Sequence, residues 1–136
     1  MIDIDFSQIV TAETKTQADR KRAHANLADL RWRHETGGLY LPEGIKVHTT
    51  REAQAQIASM AYSLNAGLIS GRVDWKFADG WQELSTDLFL KMAQAVVNHV
   101  KDCFAAEREV ARQMNALRGD LSEFDYETAF KQALTR

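Results

Sequence analysis

Val73-Asp74-Trp75-Lys76-Phe77-Ala78-Asp79-Gly80-Trp81-Gln82-Glu83-Leu84-Ser85 is the stretch that decides the fold class. Valine, tryptophan and phenylalanine alternate with charged residues over 73–77, the period-two pattern of a half-buried strand. Asp79-Gly80 is a hairpin dipeptide, since glycine reaches the positive φ that tight turns need. Trp81 to Leu84 reads as the returning strand. Trp75 and Phe77 then share one face, and across the tight turn Trp81 is expected to join them. Ser85 is placed to cap a helix, with Asp87 in its first turn where a carboxylate favours the dipole. Phe89, Met92, Ala93, Val96, Val100, Cys103, Phe104, Glu107, Ala111 and Met114 trace one stripe from there towards Gly119. At 1.5 Å per residue that helix is roughly 50 Å long, more than a small sheet can cover.

Working upstream, Ala53, Ile57, Met60, Ala61, Leu64 and Leu68 follow the 3–4 spacing of a second buried helix face. Thr49-Thr50-Arg51-Glu52 opens it as a capping box, and Asn65 with Gly67 marks its end. Leu39-Tyr40-Leu41 and Ile45-Lys46-Val47 flank Pro42-Glu43-Gly44, so residues 38–48 are read as a hairpin. Before them, Gly37-Gly38 ends a polar helix predicted from a capping box at Thr14-Lys15-Thr16-Gln17. That helix has only a thin apolar face of Ala23, Leu27 and Leu30, with Trp32 off the stripe. Ile2, Ile4 and Phe6 alternate ahead of it, which suggests a short strand or an extended arm over 1–13. Downstream, Ser122 as a cap and Leu121 with Tyr126 as a staple introduce a last short helix bearing Phe130, Ala133 and Leu134. The expectation is an extended arm at 1–13 and one domain at 14–136. Its class is α+β, helix-rich, with a small, mainly antiparallel sheet of two hairpins packed by the long helix of the C-terminal half.

The composition of the 136 residues agrees with a helix-rich fold: one proline, seven glycines, 45% hydrophobic and 26% charged. A net charge of −2 excludes a general attraction to nucleic acid or anionic lipid. The charge is nonetheless uneven. Residues 15–33 carry six basic groups against two acidic ones, while the segment after Gly119 is acidic. Such segments can pair within the chain or between copies. Cys103 is the single cysteine, so neither an internal disulfide nor a cysteine zinc site can form. The acidic start Met1-Ile2-Asp3-Ile4-Asp5 is unlike a secretory signal. Ala53–Gly71 is uncharged over 19 residues, but Gln54, Gln56, Ser59, Ser63, Asn65 and Ser70 interrupt it, so no membrane span is expected.

Candidate chemistry is sparse. His99 and Cys103 lie four apart on the long helix, yet two ligands are half a metal site and Cys103 belongs to the apolar stripe. His34-Glu35 lacks the second histidine of a zinc protease. No Gly-x-Gly-x-x-Gly, Walker loop or Gly-x-Ser-x-Gly elbow occurs. Arg20-Lys21-Arg22 with Arg31 and Arg33 forms a basic patch interrupted by Asp19 and Asp29, which reads as a solvated helix face before it reads as a phosphate-binding one.

The order of blocks carries a resemblance. Arg33-His34-Glu35-Thr36-Gly37-Gly38-Leu39 precedes a hairpin and Val47-His48-Thr49-Thr50-Arg51-Glu52-Ala53-Gln54. Trp75-Lys76-Phe77-Ala78-Asp79-Gly80 follows, and then Ala95-Val96-Val97-Asn98-His99-Val100-Lys101-Asp102-Cys103-Phe104-Ala105-Ala106-Glu107. Over residues 25–115 this resembles an uncharacterised domain family of tailed bacteriophages and prophages. That family pairs a Trp-Lys-x-Ala-Asp-Gly hairpin with a His-Val-x-x-Cys-Phe-x-x-Glu helix. The Arg51 block departs from it, with Thr50 in place of the family's aspartate and Ala53 in place of its serine.

The resemblance implies a setting among tail-fibre, tail-collar or tail-fibre-assembly proteins, and no catalytic residue. The expectation is therefore a non-enzymatic protein without cofactor or metal, acting by protein–protein binding on a phage tail or tail-fibre protein. A second copy of the chain is a further candidate partner. Its place would be the host cytoplasm during assembly, or the virion tail. A prophage-encoded regulator binding a host factor is the alternative, with nucleic acid behind it. Arg51, Gln54, Trp75, Phe77, Trp81, His99 and Phe104 are the candidate partner-binding or structural positions.

Overall fold

A computed structural model describes the backbone of residues 6–135 and the side chains of residues 11–135. The order is α1 (Phe6–Thr36), β1 (Leu39–Tyr40), β2 (Lys46–Val47), α2 (Arg51–Asn65), β3 (Val73–Phe77), β4 (Gly80–Leu84), α3 (Thr86–Ala116) and α4 (Tyr126–Leu134). The α+β class, the two hairpins and the long helix are as the sequence implies. The hairpins, however, form two separate two-stranded antiparallel sheets. Between them runs one long hydrogen bond, from Ala78 N–H to the Lys46 carbonyl at 3.4 Å.

The chain divides into two compact units. One joins α1 through Arg31 with residues from Ala105 onward, and the other spans Trp32–Phe104. In the Trp32–Phe104 unit, Val47, Ile57, Val73, Phe77, Leu84, Phe89, Met92, Ala93 and Val96 make the core. α2 contributes Ile57, the hairpins contribute alternate residues, and α3 contributes its first turns. In the other unit Leu27 and Leu30 of α1 meet Ala106, Val110 and Met114 of α3, together with Leu121 and Phe130. The far half of α3, too long for the hairpins, is therefore covered by α1 and α4.

Several boundaries differ from the sequence reading, each for a local reason. Residues 6–13 are helical rather than an extended arm, because no glycine or proline interrupts the run from Phe6 to Thr14; residues 1–5 lie outside the described residues. The cap of α2 is Thr50, whose hydroxyl accepts from Ala53 N–H at 3.1 Å, so the box begins one residue later than the spacing suggested. Thr49 is instead buried and accepts from Gly38 N–H at 2.8 Å. Gly38 has φ +100°, so the backbone conformation requires glycine just before β1. α3 opens as expected, with Leu88 N–H donating to Ser85 Oγ at 3.2 Å. Its buried line runs through Cys103, Ala106, Val110 and Met114, leaving Phe104 on the flank.

The cap of α4 is Asp125, not Ser122, which instead bonds Asp120. Asp125 accepts from Thr128 N–H at 3.1 Å and from the Thr128 hydroxyl at 2.6 Å. These bonds, the hydroxyl's first, hold its carboxyl below the usual carboxylate value. A carboxyl whose value is lower folded than unfolded stabilises fully above the ordinary range and stops doing so as pH falls through the lowered value. The Thr128 amide should therefore lose hydrogen-exchange protection on acidification. Asp125→Asn, which keeps an acceptor without a titrating group, should flatten that dependence. An unchanged acid profile in the variant would refute the assignment.

Candidate functional site

Four of the seven candidate positions converge where α1 ends and α2 begins, around a carboxylate that the sequence reading did not single out. Glu35 lies in the last turn of α1 with a fully buried side chain, 0% exposed. A buried carboxylate is costly unless it is paired and its lone pairs are satisfied. Arg51 supplies the pair: Nη2 donates to Oε1 at 2.9 Å and Nε donates to Oε2 at 2.5 Å, a two-pronged contact. Gln54 Nε2 donates to Oε2 at 2.9 Å and to the Thr49 carbonyl at 2.9 Å. Arg51 and Gln54 stand one turn apart at the start of α2, so the positive end of that helix also favours the charge. At the C-terminal end of α1 the same carboxylate would otherwise be disfavoured.

The remaining members surround this pair. The Arg51 guanidinium lies 5.9 Å from the centre of the Phe104 ring, within cation–π range. His99 Nε2 sits 3.0 Å from the His34 carbonyl oxygen; a carbonyl only accepts, so Nε2 carries the proton. Cys103 Sγ is 4.0 Å from that nitrogen and 1% exposed. A nitrogen that donates to a carbonyl does not accept a thiol proton, so this pair is not arranged as a nucleophile and base. Both oxygens of Glu35 are engaged as well. What the cluster does is fasten α1, α2 and α3 at one point of the Trp32–Phe104 unit. Among the described residues no three histidine, cysteine or acidic side chains come together to hold a metal ion.

The three aromatic candidates separate. Phe77 is buried in the core. Trp75, on the same face of β3, packs edge-on against Phe89 with ring centres 5.0 Å apart. Trp81 does not join them. The register sets it opposite Lys76, on the other face of the hairpin, where it is 69% exposed under the Lys76 ammonium at 5.8 Å. Counting outward from Phe77 opposite Gly80 would have revealed this, because neighbours across a strand pair share a face. Tyr40 repeats the arrangement on the other hairpin, exposed beside Lys46. A cavity of about 400 Å³ lies in the same unit, walled by Leu41, Ile45, Phe77, Leu84, Leu88 and Met92, with Lys91 among its polar lining residues.

The basic residues of α1 are largely spent inside their own unit. Arg20 donates to the Met114 and Gly119 carbonyls at 2.8 and 2.6 Å, where α3 ends and just beyond it. Arg31 pairs with Glu107 at 2.8 Å, and Arg22 lies 3.5 Å from Asp19. No helix among the described residues is long and apolar enough to cross a membrane.

Comparison with known proteins finds no match among curated proteins and none among solved structures. One family model covers residues 18–128, from the basic part of α1 into α4. Most of the chain, including the Glu35 cluster and all of both cores but Phe130, lies within that span, so this protein belongs to the family described as Domain of unknown function (DUF4376).

Proposed function

We propose that this chain is a non-enzymatic phage or prophage protein that binds another protein of the tail or tail fibre, as a tail component or during assembly in the host cytoplasm. The observation that carries the binding part is Trp81, a large aromatic held in solvent on a short hairpin beside a lysine. Tryptophan is the residue type most enriched among energetically dominant interface contacts, and leaving it in water is unfavourable for the free chain. The polar groups that chemistry would need are instead engaged with one another: Glu35 with Arg51 and Gln54, and His99 with a backbone carbonyl. The phage setting rests on the Trp75–Gly80 and Ala95–Glu107 blocks and their resemblance to the tail-associated family.

The test is co-purification of the tagged chain from lysogenic cells, with the captured proteins identified. Tail or fibre proteins are expected, and Trp81→Ala should reduce their recovery at least about tenfold while leaving the unfolding midpoint within the range of surface substitutions. Capture of host proteins without any tail protein would overturn the tail assignment in favour of a host-directed role. Undiminished capture by the variant would move the contact away from Trp81.

A further inference from the structure

β4 is an open strand edge. Ala78 and Asp79 form a two-residue turn, so Phe77 and Gly80 are the hydrogen-bonded pair that closes it. Bonded and non-bonded pairs alternate along an antiparallel ladder, so Trp75 with Gln82 and Val73 with Leu84 exchange bonds as well. The main-chain N–H and C=O groups of Trp81 and Glu83 therefore point away from β3. The other hairpin does not meet them, since its bond from Ala78 N–H to the Lys46 carbonyl lies on the β3 side. Among the described residues no backbone group pairs with them. Edge strands are ordinarily guarded by shortness, lysine or proline. β1 is two residues long with Pro42 close behind it, whereas β4 runs five residues, Gly80-Trp81-Gln82-Glu83-Leu84, with neither lysine nor proline. On its core-facing side lies the cavity of about 400 Å³, lined by Gln82 and Leu84 of β4 and by Leu88, which is 53% exposed.

We propose that β4 is the docking edge for an extended strand of another protein, one that alternates apolar with basic residues. The proposal rests on the reading of the Trp81 hairpin as a binding surface and gives the partner its form. Donor and acceptor sets that recur at every second residue match the main chain of a strand; a helix satisfies its own groups internally. In an added strand alternate side chains face the cavity, and walls of Leu41, Ile45, Leu84 and Leu88 suit an apolar one. Lys91, also in the lining, disfavours a base there. The other side chains lie beside Trp81 and Glu83 on the outer face. The charged residues of segment 79–87 are Asp79, Glu83 and Asp87, all acidic, and the Glu83 contact with Arg72 is exposed at 3.4 Å. A basic residue opposite Glu83 is thereby favoured. A second copy of β4 fits less well. Pairing centred on Gln82 sets that amide against itself beside an apolar cavity. Centred on Trp81 or on Glu83, it sets Glu83 against Asp79 or against its own copy.

The probe is a blocked synthetic heptapeptide alternating lysine with valine and leucine, beside one of equal composition with its lysines grouped at one end. In the free full chain the amides of Trp81 and Glu83 should exchange with solvent faster than those of Gln82 and Leu84. The alternating peptide should slow them at least about tenfold, and the grouped one should not. Glu83→Pro removes an N–H that the hairpin does not use and should weaken peptide binding at least about tenfold. Glu83→Thr keeps the amide and should weaken it less than about threefold. Circular dichroism verifies both folds. Unprotected Trp81 and Glu83 amides at about 1 mM alternating peptide, where even weak binding registers, overturn the proposal. Equal binding of the two peptides, or of the two variants, does the same. A two-chain mass in light scattering that Glu83→Pro abolishes would make the occupant a second copy, against the proposal. If Trp81→Ala lowers capture of tail proteins while Glu83→Pro does not, strand addition fails and the Trp81 contact stands. If Glu83→Pro abolishes peptide binding and capture while Trp81→Ala changes neither, the edge stands and the Trp81 contact fails.

Discussion

Arg51→Ala should lower the unfolding free energy by about 3 kcal/mol, because it takes a two-pronged cationic partner from a buried carboxylate. Glu35 has no exposed surface, whereas Arg51 is 57% exposed at its side chain. The asymmetry decides what each substitution does. Removing Arg51 withdraws both prongs from a group that water cannot reach, and the Gln54 amide does not replace a formal charge. Breaking a buried pair this way typically costs ~3–5 kcal/mol, and partial solvent access to the guanidinium places this one at the lower end. Neutralising the acid relieves the problem. The double variant Glu35→Gln/Arg51→Ala should be more stable than Arg51→Ala alone, although it differs by one more substitution from the natural chain. Urea unfolding of the four species of the cycle measures this. An Arg51→Ala chain within about 0.5 kcal/mol of wild type, the usual scatter of surface changes, would show that the pair does not hold the helices together.

Phe89→Ala should cost about 4 kcal/mol, the largest effect expected of a single truncation in the Trp32–Phe104 unit. Phe89 is completely buried in the first turn of α3 and belongs to the core that both hairpins and α2 share. Its ring also meets Trp75 edge-on, at an angle of 71°. Truncation therefore removes transfer energy, leaves a cavity and deletes a ring–ring contact. The backbone cannot collapse into the space from the hairpin side, since β3 is held by five registered pairs with β4. The unfolding midpoint in denaturant should fall steeply, and the near-ultraviolet circular dichroism of Trp75 should weaken even where the chain remains folded. Phe89→Leu keeps most of the volume and should recover more than half of the loss. A cost under about 1.5 kcal/mol for the alanine variant would mean that the hairpins and α3 are not packed as described.

Most elements were legible in the chain because they depend on neighbours in sequence. The alternation at 73–77, the Asp79-Gly80 turn, Ser85 before α3 and the glycines at 37–38 each act over a few residues, and each element formed where those signals stood. The long helix was legible for the same reason. Its fine phase was not: period alone does not distinguish Glu107 from Ala106 as the buried residue. The decision falls to Leu27 and Leu30, which arrive from about 75 residues earlier.

The candidate cluster shows the same division more sharply. Arg51, Gln54, His99 and Phe104 were marked by their place in recurrent blocks, but nothing in sequence spacing links them to Glu35. That carboxylate looked like one of many on a polar helix until the hairpin brought α2 back against the end of α1. The sequence by itself determined helix, strand and turn, since local sterics and hydrogen-bonding periods act within a few residues. Only the tertiary structure decided which charge is buried and which tryptophan faces water. Burial is a relation between segments distant in the chain, and the same side chain changes its chemistry with what is packed against it.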